Sequence, residues 1–366
     1  MTGYDLIVVG AGIVGANCAD LAAAAGMRVA IVEADVIGGG ATAASMGHLV
    51  AMDDDPAELA LARYSQLLWD AVEHQPGAEF QRCGTLWVAA DDTELAMVAE
   101  KIARLAAVGI EAEAIDAVQL RALEPGLAHR LAGGMRVARE AVVYPPRIAA
   151  WRVGRAVAAG ATLLRGRRAM ALLRDGMRLD DGSTLHGPVL LATGEATPVL
   201  VPELPMHVRR GHLAITDRHP GVLRHQVLEL GYAASAHGDA STSVAFNVQP
   251  RPGGQLLVGS SRELGETARD VHPPVLRRML ERAFDYLPAL RGLQAIRVWT
   301  GFRPCTPDGQ PYIGAVPGRP GVWVATGHEG LGVTTAPGTA QLLLDLIHGR
   351  VPAIDPTPYD PARVLA

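Results

Sequence analysis

The chain is predicted to be α/β, in two interleaved parts: a Rossmann-like unit on a parallel sheet and an α+β unit on a mostly antiparallel one. Three observations predict this. A strand–turn–helix–strand unit opens the chain, an apolar strand ending in glycine lies at 188–194, and a strand, glycine turn and long helix close it over 321–348. Between these stand blocks of helix and β-type sequence, so neither part is continuous. The Rossmann-like part is expected to use 1–55, 140–205 and 298–366, and the other 56–139 and 206–297.

The opening unit carries the most chemistry. An apolar strand, 4–9, runs into Gly10-Ala11-Gly12-Ile13-Val14-Gly15; an Ala-rich helix over 16–25 and a strand over 28–32 follow, closed by Glu33. Gly10 permits a tight turn, Gly12 lets the backbone approach a pyrophosphate, and Gly15 lets helix and strand pack closely. The helix start aims free N–H groups and the positive dipole end at the phosphates. Glu33, 21 residues after Gly12 (33 − 12), is placed to accept hydrogen bonds from a ribose hydroxyl. A carboxylate there disfavours a 2′-phosphate and therefore NADP. The motif with its strand, helix and acid in place reads as an adenine dinucleotide site.

The next segments alternate in character. Residues 37–48 are a run of small residues without amphipathic period, suited to lying against a large flat group. Helices are expected over 56–72, from 91–94 to about 108, over 147–159, 274–286 and about 334–348. Strands are expected at 85–89, within 208–259 with 255–259 clearest, and at 321–326. Asp308, in Pro307-Asp308-Gly309, reads as turn chemistry.

Composition excludes several classes. A net charge of −5, spread along the chain, offers no basic footprint for nucleic acid, and the densest basic cluster (Arg165, Arg167, Arg168) reads as a solvated strand edge. Three dispersed cysteines (Cys18, Cys83, Cys305) suggest neither a disulfide framework nor a metal site. No apolar run reaches the roughly 18 residues of a membrane span. The start lacks a basic leader, and a cytoplasmic location is expected, with peripheral attachment at the inner membrane as the other option.

Five segments together resemble one family: the opening fingerprint, the small-residue run 38–48, Leu191-Ala192-Thr193-Gly194, the segment Arg303-Pro304-Cys305-Thr306-Pro307-Asp308-Gly309-Gln310-Pro311, and Gly327-His328-Glu329-Gly330-Leu331-Gly332. In this order the chain resembles the FAD-dependent oxidoreductases of the D-amino-acid oxidase, glycine oxidase and sarcosine oxidase group (the DAO family, with a glutathione-reductase-type FAD fold). The resemblance spans most of the chain. It implies FAD, hydride transfer from a substrate α-carbon to flavin N5, and a small amino-acid substrate.

Residue by residue, the resemblance implies that Gly10, Gly12, Ile13, Val14 and Gly15 cradle the pyrophosphate and that Glu33, with Ala34, takes the adenosine ribose. Ala41, Thr42, Met46, Gly47 and His48 match the loop beside the flavin, Ala169 the adenine contact, and Ala192, Thr193 and Gly194 the second glycine-ended strand. His328, Glu329, Gly330, Leu331, Gly332, Val333 and Thr334 match the isoalloxazine turn. Independently, a helix starting near Val333 aims its positive end where flavin reduction places negative charge. Arg303 is expected to clamp the substrate carboxylate. His48 is a candidate polar group over the flavin, or a histidine bonded to backbone. Glu329 faces a substrate amine or ring hydroxyl, and Asn247, with Gln249, lies where the family's sheet faces the pocket.

Two departures bear on the electron acceptor. Sarcosine oxidases hold a lysine over the flavin and tether FAD through a cysteine; here the one lysine, Lys101, falls in a mid-chain helix with a solvated look, and Cys305 is displaced from the aligned position near Gly301. Non-covalent FAD and a dehydrogenase passing electrons to a quinone or partner subunit are expected. The stretch 45–54 with the closing turn looks most like bacterial D-hydroxyproline dehydrogenases, implying cis-4-hydroxy-D-proline. The alternatives are a glycine- or sarcosine-type oxidase releasing H2O2, and an FAD-carrying subunit of a heteromeric dehydrogenase.

Overall fold

Short, fully buried apolar strands and small-residue helices assemble into a six-stranded sheet and an eight-stranded sheet that share one cleft. The computed structural model describes residues 3–52, 54–75, 77–232 and 241–364. Asp53, in the stretch compared above, and 233–240, within the β-rich block, lie outside them.

The six-stranded sheet has the order Tyr312–Ala315, Val322–Thr326, Val189–Leu191, Leu6–Val9, Val29–Glu33, Thr162–Arg165. All neighbours are parallel except the first two strands. Leu6–Val9 is buried on both faces: Leu6 and Val8 pack under the helices Ile13–Ala24, Pro145–Ala158 and Gly332–Ile347, and Ile7 and Val9 pack with Met177 and Leu179 on the other side. Chain order reverses on either side of Leu6–Val9, which opens a crevice at the strands' C-terminal ends. Glu33, Ala192–Gly194 and Gly327 all lie at that edge.

The eight-stranded sheet runs Ala295–Cys305, His207–Thr216, Leu256–Leu264, Thr242–Pro250, Gln226–Glu229, Thr85–Ala89, Gly133–Val137, Glu113–Asp116. Only Gln226–Glu229 and Thr85–Ala89 pair in parallel. Alternation sorts its faces: Leu86, Val88, Val227, Phe246 and Val258 pack under the helix Pro273–Tyr286, while Trp87, Leu228 and Ala245 turn the other way. A third, antiparallel sheet of three short strands begins at Ala169–Leu173.

Several element bounds differ from the sequence reading. The first helix starts at Ile13, inside the glycine motif, with Gly12 as its N-cap. The small-residue run contains a short helix, Gly40–Ala44. The helix expected over 91–108 is two, Asp92–Leu95 and Val98–Ala107. Glu113–Asp116 and Ala117–Leu123, entered through an Asp116/Gln119 capping box, were not anticipated. Ala295–Cys305, expected with the Rossmann-like unit, pairs along His207–Thr216 in the other sheet, so we propose that the boundary between the interleaved units falls after Cys305.

Candidate active site

The glycine motif has the geometry of a dinucleotide cradle. Gly10 adopts φ +97°, and a Cβ there would stand 2.5 Å from the Ala192 carbonyl oxygen; a Cβ at Gly15 would stand 2.0 Å from the Gly10 carbonyl oxygen. The Ile13 N–H donates to Thr42 Oγ1 at 3.0 Å, so the small-residue run is tied to the helix start. Val14 and Gly15, in the first turn, have no carbonyl four residues back within the helix. Glu33 is held in place from both sides: the Ala11 N–H donates to Oε2 at 2.7 Å and the Asp35 N–H to Oε1 at 2.8 Å. The adjacent Arg167 N–H donates to the Glu33 carbonyl, which brings the chain entering Ala169 beside this acid. The room left by the glycines, the free N–H groups and the fixed carboxylate suit a pyrophosphate and a ribose, and therefore the ADP half of FAD.

The crevice continues into a cleft of about 920 Å³ between the two sheets. Ala41, Met46, Gly47 and His48 line it from the small-residue run, Glu329, Gly330, Leu331 and Val333 from the closing turn, and Arg303 from the strand Ala295–Cys305. Small residues are needed where these segments meet: Ala44 packs on Gly301, whose Cβ would lie 2.3 Å from the Ala44 Cβ. The closing helix Gly332–Ile347 begins at the cleft. Among the described residues no cysteine lines it, and Cys305 is buried with its thiol pushed up to about 12, first by burial.

Arg303 has the charge balance of an anion receptor. Its Nη1 donates to the Ser261 carbonyl at 2.9 Å, and no carboxylate is within ion-pair distance of it among the described residues. Gly211 makes room for it, since a Cβ there would lie 2.4 Å from that Nη1. Burial and the neighbouring Arg262 lower its pKa from the usual guanidinium value. Arg262, by contrast, has a carboxylate partner: its Nε donates to Glu329 Oε1 at 3.1 Å, and Arg209 Nη1 shares the same oxygen at 3.0 Å.

Other expected residues are placed less directly. Glu329 (φ +45°) lines the cleft but spends its carboxylate on the two arginines, not on an open substrate position. His48 lines the cleft, and its Nδ1 is buried with no partner; burial, then Arg303 and Arg262, lower its pKa to about 4, so the ring is neutral at pH 7. His328 turns away, its Nε2 bonded to Thr339 Oγ1 at 2.9 Å inside the fold. Thr334 is buried, with Oγ1 donating to the His48 carbonyl at 3.2 Å. Asn247 does not reach the cleft: it stands beside Leu228, which does, but Met46 and Leu213 crowd the adjoining Gly259 and close it off. Gln249 likewise holds the Met46 carbonyl from behind. Asp308 is turn chemistry, accepting from the Gln310 N–H and Arg363. Lys101 is not solvated: it is 5% exposed, and an ion pair with Asp54, Nζ to Oδ1 at 3.5 Å, offsets the cost of burying its charge.

The sequence reading missed Glu58, Tyr232 and Ser260. Tyr232 Oη and Ser260 Oγ are 3.0 Å apart on the cleft wall. Burial alone would raise the tyrosine, but Arg262 and Arg303 draw its pKa below the usual phenol value. Glu58, on the helix Pro56–Trp69, faces the cleft, and burial followed by repulsion from Glu329 raises it to about 8. A carboxyl raised in the fold favours the native state below its unfolded pKa, and that stability is lost as pH rises through 8. Thermal melts of the flavin-free protein are therefore expected to fall from pH 5 to 9, and Glu58→Gln to flatten the slope; an unchanged slope would show that Glu58 titrates normally.

Comparisons with known proteins agree with this geometry. The profile of the DAO family, FAD dependent oxidoreductases, matches residues 5–346. A glycine oxidase of Pseudomonas aeruginosa is 34% identical over 98% of both chains. A D-amino acid dehydrogenase of Rhizorhabdus wittichii is 33% identical over 74% of this chain and 65% of its own length. The crystal structure of glycine oxidase from Geobacillus kaustophilus superposes with a TM-score of 0.87 at 26% identity, covering 98% of each chain. With fold, cradle and cleft in agreement, the chain belongs to the DAO family and is an FAD-dependent oxidoreductase.

Proposed function

We propose that the protein is an amino acid dehydrogenase that oxidises a D-amino or cyclic secondary amino acid, cis-4-hydroxy-D-proline in particular, to its imine. The observation that carries this reading is Arg303, a guanidinium without a carboxylate partner among the described residues, facing a cleft beside the flavin loop. A substrate carboxylate completes it, and the planar fork suits that anion bidentately. The similarity to a glycine oxidase and a D-amino acid dehydrogenase supports an amino-acid substrate.

Bound in the cradle, FAD would accept a hydride from the substrate α-carbon. The chain's own residues orient and exclude: Arg303 fixes the carboxylate, and the Tyr232–Ser260 pair presents hydroxyls to the same end of the cleft. Met46, Val50, Leu213 and Leu228 give apolar walls that suit a pyrrolidine ring and keep water from the reacting carbon. Neutral His48 offers a hydrogen-bonding nitrogen without adding charge. The start of the closing helix, at the cleft, would favour negative charge on a flavin held there.

Our reading includes non-covalent FAD, supported by a cleft that no cysteine lines among the described residues, and a non-oxygen acceptor, supported by Lys101 pairing with Asp54 away from that lining. We place the protein in the cytoplasm, passing electrons to a quinone or a partner subunit; no helix among the described residues is long and apolar enough to cross a membrane. Anaerobic mixing with cis-4-hydroxy-D-proline is expected to bleach the flavin, which then recovers quickly with a quinone or dye and slowly in air. The second reading, a glycine-type oxidase, is favoured by the 34% identity to a glycine oxidase. Rapid peroxide formation in air, with bleaching by glycine or sarcosine alone, would establish it instead.

A further inference from the structure

Behind the cleft, on the same face of the eight-stranded sheet, lies a band of buried polar atoms without protein partners. Gln226 and Gln249 are fully buried, and each keeps an amide oxygen unpaired. Both amide atoms of Asn247 are also unpaired, and the indole Nε1 of Trp87 is turned to the Glu140 carboxyl without a well-formed hydrogen bond. Strand register makes this a band: Thr85 pairs with Gln226, Trp87 with Leu228, and Leu228 with Asn247. The pairing of Val227 with Val248 sets Gln226 opposite Gln249. Two-residue alternation points all of them to one side.

The band has two ends. At the first, Gln249 Nε2 donates to the carbonyl of Met46, a cleft residue two positions from His48, whose buried Nδ1 is also unpaired. At the second, Gln226 Nε2 donates to Thr85 Oγ1 at 2.6 Å, and Thr85 and Trp87 stand against the carboxyl of Glu140. Glu140 is 1% exposed; its Oε1 accepts from the Ala51 N–H at 2.8 Å and its Oε2 has no well-formed hydrogen bond. Glu140 also borders a second cavity, about 790 Å³, which Leu49 of the cleft loop lines as well. Buried polar atoms in folded proteins are satisfied, and where no protein group reaches them ordered water does so.

We propose that this band is a hydrated proton relay and that Glu140 is the carboxylate receiving the proton shed by the substrate ammonium. The proposal rests on the amino-acid reading above. In the step, an N–H bond of the ammonium breaks and its electron pair stays on nitrogen. Because Met46 and Leu213 close Asn247 off from the cleft, the proton enters at His48, whose ring takes it on the cleft side and gives one up at the buried Nδ1. Across the band, an O–H bond then forms at Glu140 Oε2 and breaks to release the proton through the second cavity. No electrons leave the substrate until the hydride does. Burial raises Glu140 to about 7 against the pull of Thr85, the Ala51 N–H and Trp87, so it changes state near neutrality. The other groups facing it are the Cys83 thiol, pushed up to about 11, Arg251 beyond that thiol, and in the second cavity Arg63, Asp70, Arg82, Glu111 and Arg139. His48, held neutral, passes protons on without storing them.

Anaerobic stopped-flow reduction of the holoenzyme by cis-4-hydroxy-D-proline tests the relay. The wild-type rate is expected to bend near pH 7; Glu140→Gln, which keeps the acceptor for Ala51, should lose the bend and slow about tenfold or more, with FAD content and KM unchanged. Thr85→Val, which cuts the link to Gln226, should slow the rate without moving the bend. Wild-type rates in both variants overturn the relay. If no amino acid reduces the wild-type flavin, the substrate reading fails instead. A high-resolution crystal structure then decides the relay alone: waters on Trp87 Nε1, Asn247 and Glu140 Oε2 support it, and a dry band overturns it.

Discussion

Arg303→Ala is expected to lower kcat/KM for an amino-acid substrate by roughly 10²–10³ while the purified protein stays yellow. The magnitude is that of leaving one member of a desolvated charge pair alone, about 2–5 kcal/mol, with about 1.4 kcal/mol per factor of ten. FAD is retained because the Arg303 guanidinium bonds to the Ser261 carbonyl and faces the cleft, away from the glycine cradle. Arg303→Lys keeps the charge but loses the fork, and should recover only part of the loss. A further expectation separates function from stability. Since no carboxylate among the described residues pairs with Arg303, and Glu329 acts on it only from beyond ion-pair distance, Arg303→Met should melt higher than wild type. Carboxylate ligands should raise the wild-type melting temperature and leave the variant unmoved. Loss of FAD together with activity would show instead that Arg303 supports the fold.

The contrast between Arg303 and Glu58 shows what the sequence made legible. Arg303, the glycine motif, the 38–48 run and the 327–332 turn are contiguous patterns whose chemistry is local, so they could be read residue by residue. Glu58 and Tyr232 have no such signature. Glu58 is one acid on an ordinary amphipathic helix, entered through the Asp55 cap and Pro56, and its helix register alone brings it to the cleft. Tyr232 and Ser260 meet only because distant strands pair. Asn247 shows the reverse limit: alternation gave the right face, but no one-dimensional pattern reports that Met46 and Leu213 close the surface over it. Glu329 fell between these cases. Its position in the turn was legible, but its use as a counter-ion for Arg209 and Arg262 depends on side chains contributed by two other strands.

Gly15→Ala should yield a colourless protein, with FAD affinity down at least a hundredfold and a melting temperature several degrees lower. The added methyl would stand 2.0 Å from the Gly10 carbonyl oxygen and 3.1 Å from the Ala192 Cβ. Neither obstacle is the end of a flexible side chain, so the first helix must move off the sheet. Such overpacking costs about 1–3 kcal/mol or more, and it is centred on the turn that must hold the pyrophosphate. Gly12→Ala is the discriminating control. Its methyl would meet only Thr42 Oγ1, at 3.2 Å, which leaves helix and sheet in place while filling space on the phosphate side. Gly12→Ala is therefore expected to melt like wild type without flavin and still bind FAD poorly. Equilibrium FAD titration with parallel melts of the flavin-free proteins separates the two effects. If Gly15→Ala bound FAD with wild-type affinity, the close helix–strand contact at Gly10 would have no part in holding the cofactor.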